Sequence, residues 1–167
     1  MFKKTTFNID TIYLSDLSNS LQFGSIPIAV LYNIFKDGRL SGLLIEHLIE
    51  SMFLNLTRLK QENSSLDFID SKGGRYEVRV ITKNGVKFIP SHMIGKGRKF
   101  NQEGFDEKLA QIDYFLLCDV NNFPKISIFT IKNNHSIVLK KEIKYDKILP
   151  ILDDLLKEKT IINIKYD

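Results

Sequence analysis

Residues 65–82 read Ser-Leu-Asp-Phe-Ile-Asp-Ser-Lys-Gly-Gly-Arg-Tyr-Glu-Val-Arg-Val-Ile-Thr, and this stretch leaves the chain few choices. Tyr76, Val78 and Val80 alternate with Arg75, Glu77 and Arg79, the period-two pattern of a half-buried strand. Residues 66–70 make the opposite arm of a hairpin, and Gly73 and Gly74 supply the positive φ that a tight loop needs. The apolar residues of both arms should share one face. Leu66 and Phe68 then lie with Tyr76, Val78 and Val80, which sends Asp67 to the side of Glu77 and Arg79. A three-residue loop, Lys72-Gly73-Gly74, produces that arrangement, with Ser71 facing Arg75, Ile69 facing Glu77 and Asp67 facing Arg79. Asp67 and Glu77 become diagonal neighbours, roughly 7–8 Å apart at the backbone and within joint reach of a metal ion. A two-residue turn would put Asp70 on the Glu77 face and bury Asp67 unpaired, which is costly.

Two carboxylates and a cation on one sheet face suit phosphodiester chemistry. Carboxylate oxygens bind Mg²⁺. The metal lowers the pKa of a bound water and offsets phosphate charge. A neighbouring guanidinium stabilises the negative transition state. The spacing alone is a weak signal, because a solvated hairpin face with an Asp67–Arg79 cross-strand pair is the commoner outcome for such residues.

The rest of the chain sets the context. Its 167 residues suffice for one domain with a real core. With 43% hydrophobic and 26% charged residues, the composition is that of an ordinary globular protein. No window reaches the apolar length of a membrane span, and the N-terminus lacks the apolar run of a secretion signal. Cys118 is the only cysteine, which excludes an intrachain disulfide and a cysteine-based zinc site. It reads as a small core residue, and the expected compartment is a reducing cytoplasm. The net charge of +4 permits a nucleic-acid partner without requiring one.

In chain order, residues 1–8 read as a loose or edge segment and 9–21 as a weak helix. A helix over 26–35 follows Pro27, and the strongest helix spans 40–59 with Ser41 as N-cap. After the hairpin come a third short strand over 86–90, a glycine-rich basic loop over 91–100 and a helix over 105–111. Residues 113–120 form a nearly continuous apolar run, the mark of a buried central strand. Strands are expected at 125–132, 135–141 and 160–166, and a helix at 146–156 with Leu149, Leu152 and Leu156 inward. The helix between the hairpin and 113–120 allows a crossover. The expected fold is therefore α/β, a mixed central sheet flanked by helices. Within one domain, 1–60 is the helical N-terminal region, 65–132 the core sheet and 133–167 the C-terminal strands and helix.

The hairpin resembles the PD-(D/E)xK nuclease superfamily, and within it the small PvuII-type restriction endonucleases. The likeness rests on Asp67, Asp70, the turn at Gly73-Gly74, and Tyr76-Glu77-Val78-Arg79. It extends to Phe88-Ile89-Pro90-Ser91-His92-Met93, which is similar to that family's Phe-Ser-Thr-His-His-His-Met segment. It covers roughly residues 62–93. Gly42 and Glu46 on the long helix also resemble the helix that precedes the catalytic hairpin in many members.

The resemblance implies a restriction-endonuclease-like fold and a type II restriction endonuclease, hydrolysing double-stranded DNA at a short site with Mg²⁺ as cofactor, usually as a homodimer. Asp67, Glu77 and Arg79 would be catalytic. Asp67 and Glu77 would ligate the metal, with Glu46 as a third carboxylate. Ser91 and His92 would lie at the DNA, with Lys96, Arg98 and Lys99 on its phosphates. Arg79 stands where the family has lysine, and a guanidinium does not act as a base near neutral pH. Lys72 or Lys83 are candidate substitutes. A non-catalytic DNA-binding or partner subunit that keeps the nuclease fold is the alternative. The amphipathic region 9–35 is the expected dimer surface.

Overall fold

The computed structural model describes residues 2–18, 27–36, 41–59, 66–95 and 97–165. It is a mixed α/β structure with one main sheet between two layers. Strand β1 (Thr11–Asp16) is followed by helices α1 (Ile28–Lys36) and α2 (Ser41–Met52). Strands β2 (Leu56–Arg58), β3 (Phe68–Asp70), β4 (Arg75–Ile81) and β5 (Val86–Lys87) come next, then a 3-10 turn (Ser91–Met93) and α3 (Gln102–Ala110). Strands β6 (Tyr114–Asp119) and β7 (Lys125–Lys132), helix α4 (Ser136–Leu139), strand β8 (Glu142–Ile143), helix α5 (Tyr145–Glu158) and strand β9 (Thr160–Ile164) complete the chain.

Seven strands form the main sheet in the order β2-β3-β4-β6-β7-β1-β9. The β4/β6 and β1/β9 pairs are parallel and the others antiparallel. The crossover from β4 to β6 carries α3, as the position of that helix in the sequence suggested. Strand β6 is central and buried on both faces, which explains its unbroken apolar run.

The pleat divides the core in two. On one face, Phe68, Tyr76, Val78, Leu116, Cys118 and Ile128 pack under Ile45, Ile49 and Met52 of α2. On the other, Ile81, Phe115, Leu117 and Ile131 pack under Phe105 of α3 and under Ile148 and Leu152 of α5. Burial pushes the Cys118 thiol above its ordinary value, which leaves it a packed core group.

Several elements differ from the sequence reading. Residues 9–21 hold strand β1 rather than a helix. Ile12 and Leu14 belong to the α3 face and Tyr13 to the α2 face, so apolar residues on both sides imitated helical spacing. Within the expected dimer surface, β1 is paired on both edges with Ile12 and Tyr13 buried, whereas Val30 on α1 is exposed. Residues 19–26 of that surface lie outside the described residues. The N-terminal segment is not loose, because Phe2 and Phe7 are buried in the core. The long helix stops at Met52 and the chain re-enters the sheet as β2.

The third strand is shorter than expected and joins β8 in a separate two-stranded sheet. Residues 135–141 contain α4, where the His135 side chain accepts from the Ile137 N–H and both Ile137 and Val138 are buried. In α5, Ile148 and Leu152 point inward, while Leu149 lies at the surface.

Candidate active site

Asp70 decides how the β3–β4 hairpin closes. Its carboxylate accepts from the backbone N–H of Lys72 and of Gly74, each at 2.8 Å, and from the Tyr76 hydroxyl at 2.6 Å. An aspartate bonded to the N–H two residues on forms its own turn. The loop is therefore Ser71-Lys72-Gly73, with Asp70 N–H bonded to the Gly74 carbonyl. Gly73 has φ +86°. A Cβ on Gly74 would sit 2.7 Å from an Asp70 oxygen, so only glycine admits this approach.

The loop keeps the expected three residues but begins one residue earlier. Phe68 pairs with Tyr76 and Ile69 with Arg75. An odd loop length preserves the faces, whereas the earlier start shifts the register by two. The ladder then breaks at Asp67, whose N–H donates to the carbonyl of Tyr76, the residue that faces Phe68, so Asp67 sits beside that pair rather than across from Arg79. The Leu66 side chain departs from the expectation. It precedes β3, escapes the pleat and packs on the α3 side of the sheet.

Asp67 lies where β3 begins. Its N–H donates to the Tyr76 carbonyl and its own carbonyl accepts from Leu59 N–H. Its carboxylate accepts from Val78 N–H at 2.7 Å, replacing a ladder bond with a side-chain bond. Glu77 follows on β4, only 6% exposed. Arg79 donates from Nη2 to Glu77 Oε1 at 3.0 Å.

The second partner of Glu77 is Lys108, whose Nζ lies 2.9 Å from Oε2. The sequence reading did not include it. Lys108 comes from α3, whose start is capped by Asn101 accepting from Glu103 N–H. Phe105 anchors the helix in the core, and Lys108 lies one turn further on the same side. That spacing was the available signal: a lysine three residues after the single buried aromatic of a polar helix.

Burial pushes the Glu77 carboxyl above its ordinary value. Arg79 pulls it back, the Asp67 charge adds to the rise, and Lys108 lowers it again. Two carboxylates that repel each other, opposed by two cations, make a compact charged cluster between β3, β4 and α3. Arg79 Nε is buried and has no hydrogen-bond partner. Its Nη2 also reaches the Phe88 carbonyl at 3.4 Å, linking the cluster to the segment that leads into the Ser91–Met93 turn.

Ser91 and His92 are exposed on that turn. Arg98 is committed to shaping it, donating from Nη1 to the carbonyls of Ser91 at 2.7 Å and Ile94 at 3.2 Å. Lys99 is exposed, and Lys96 lies outside the described residues.

Glu46 does not join Asp67 and Glu77. It is bound by Arg58, whose Nε lies 3.1 Å away. Helix α2 packs on the Tyr76 and Val78 face, whereas Glu77 points to the opposite one. Lys72 and Lys83 are both exposed, and neither occupies the position that Lys108 takes. Among the described residues, no group of three or more His, Cys, Asp or Glu is arranged to hold a metal. Asp67 and Glu77 are carboxylates of the type that Mg²⁺ takes one or two of, with water and phosphate filling its shell, and here both Glu77 oxygens are paired with cations. The mutual repulsion of Asp67 and Glu77 is what a divalent cation would relieve. A cleft of about 850 Å³ lies at the turn end of the hairpin, lined by Asp70, Lys72, Gly73 and Tyr76, and does not include the charged cluster.

Comparison with protein-family models, curated proteins and solved structures returned no match.

Proposed function

We propose that this chain is a Mg²⁺-dependent nuclease with a restriction-endonuclease-like fold, acting on double-stranded DNA as a type II restriction endonuclease does. The observation that carries this reading is the convergence of Arg79 and Lys108 on Glu77 beside Asp67. Asp67 and Glu77 would hold the metal. When bound, Mg²⁺ would supply an activated water and neutralise phosphate charge.

The protein's own groups supply the remaining roles. Lys108 Nζ, an ammonium held beside Glu77, would orient the water by donating to a neighbouring oxygen, and the water's proton would pass to a second water or to the phosphate. Arg79 keeps its charge and would donate to a phosphate oxygen, with its unpartnered Nε available for a further bond. Lys108, from another element, would take the lysine position that Arg79 leaves open. Ser91 and His92 would reach base edges from the exposed turn. A homodimer would present one such site to each strand.

Incubation with mixed-sequence plasmid and Mg²⁺ tests this reading. Discrete fragments are expected from the native chain and none from Asp67→Asn. Equal cleavage by both proteins would sink the site assignment. A second reading, a DNA-binding subunit without catalysis, is favoured by one feature: both oxygens of Glu77 are already paired with cations. Retarded but intact plasmid would select it.

A further inference from the structure

The mini-sheet of β5 and β8 carries a cation that the functional reading does not use. Lys141 is a non-glycine residue with φ +68°. A left-handed backbone costs an L-residue roughly 1–2 kcal/mol, so a glycine would serve the turn better. The conformation is nevertheless firmly held. Lys141 N–H donates to the Val138 carbonyl at 2.9 Å, and its carbonyl accepts from Phe88 N–H at 2.7 Å.

The side chain is equally constrained. Its ammonium sits 4.1 Å from the centroid of the Phe100 ring. Phe100 is 39% exposed and leans on Phe105, the residue that anchors α3. Among the described residues no carboxylate pairs with Lys141, whereas the neighbouring Lys87 is paired with Glu142 at 3.2 Å. A long flexible cation is thus fixed by a ring and left without an anion.

Its position relates it to the charged cluster. Phe88 is bonded from both sides, its N–H to Lys141 and its carbonyl to Arg79. The Lys141 backbone is therefore tied through a single residue, Phe88, to the Arg79 guanidinium next to Glu77, and Phe88 leads directly into the Ser91–Met93 turn. We infer that Lys141, held over Phe100, is a preorganised contact for a backbone phosphate of duplex DNA flanking the site of cleavage. The choice of duplex DNA as the polyanion rests on the nuclease reading above; the preorganised cation does not.

The test measures binding of a labelled 25-bp duplex by fluorescence anisotropy in EDTA over a series of salt concentrations, for the native chain, Lys141→Gly, Lys141→Gln and Lys140→Ala. Losing one phosphate contact should lower affinity about five- to tenfold at 0.1 M salt and flatten the log–log salt slope by about 0.9. Both Lys141 variants should show this loss. Lys141→Gly should also melt no lower than the native chain, since glycine relieves the left-handed strain. Lys140, exposed on the neighbouring turn, should change affinity less than about twofold by the same counterion reasoning.

An unchanged slope in both Lys141 variants, or an equal loss in Lys140→Ala, overturns the inference. If the native chain still cuts plasmid in that case, the nuclease reading survives alone. If the native chain neither cuts nor binds duplex in a salt-sensitive way, that reading fails and takes this inference with it.

Discussion

The two ends of the β3–β4 hairpin treat their carboxylates in opposite ways. At the turn, Asp70 receives three hydrogen bonds from Lys72, Gly74 and Tyr76. Burial opposes its charge, but these bonds outweigh it, and the carboxyl is held below its ordinary value. Near the start of β3 and the middle of β4, Glu77 is buried more deeply and bonded only by two side-chain cations, and its carboxyl is pushed upward. One end uses backbone N–H groups to stabilise a turn. The other gathers side chains from β3, β4 and α3 around a carboxylate whose ionised form burial opposes.

The largest effect that can break this contrast is on cleavage. Glu77→Gln should abolish plasmid cleavage, Lys108→Met should slow it by about 10²-fold, and Asp70→Asn should leave it within about threefold once folding is matched, since donors at the reacting centre and not turn bonds set such factors. Initial rates on one plasmid substrate at saturating Mg²⁺ check all three. Full activity in Lys108→Met would return the lysine role to an open question.

Next in size is stability. Glu77→Ala removes the carboxylate that the half-buried Lys108 and Arg79 share and leaves Asp67 as the nearby negative charge, which should cost less than the about 3–5 kcal/mol of a fully buried broken pair. Removing one of those cations as well should reverse part of the loss. The double variant Glu77→Ala/Lys108→Met should be about 2 kcal/mol more stable than Glu77→Ala in urea unfolding. If the two are equally stable, Lys108 and Glu77 are not coupled in solution. Asp70→Ala should cost about 2 kcal/mol, the range for hydrogen bonds to a charged group, because the buried Tyr76 hydroxyl loses its acceptor.

The same contrast explains what could be read from the sequence. Alternation in residues 75–81 fixes a strand and its two faces, and β4 lies where that pattern puts it. The length of the loop, three residues, is as expected. The register is not, because it depends on Asp70 capturing the N–H groups of Lys72 and Gly74. An aspartate followed by Ser-Lys-Gly is a recognisable turn signal, and giving it weight would have started the loop at Ser71. Lys108 was harder to find. It lies 31 residues from Glu77, and its arrival depends on how α3 seats Phe105 against the sheet. Strand β1 is short and buried from both sides, and α4 is a single four-residue turn with Ile137 and Val138 in one core cluster, so neither is long enough to carry a decisive period.

The smallest effect is also the one that compares the two ends most directly, because it predicts slopes of opposite sign with pH. Asp70 has a folded pKa below its unfolded value. Its stabilisation is present above the unfolded value, near 3.9, and is lost as pH falls through the folded one. The deficit of Asp70→Asn should therefore shrink as the medium is acidified below about pH 4. Glu77 has a folded pKa above its unfolded value, near 4.3. Its contribution is present below that value and is lost as pH rises through the folded one. In metal-free buffer, the native chain should lose stability relative to Glu77→Gln as pH rises from about 4.3, while gaining over Asp70→Asn across the lower range. Urea midpoints at closely spaced pH values measure both differences. Slopes of the same sign would mean that the charges around Glu77 stabilise its ionised form as fully as the turn stabilises Asp70, and that the two ends of the hairpin are alike.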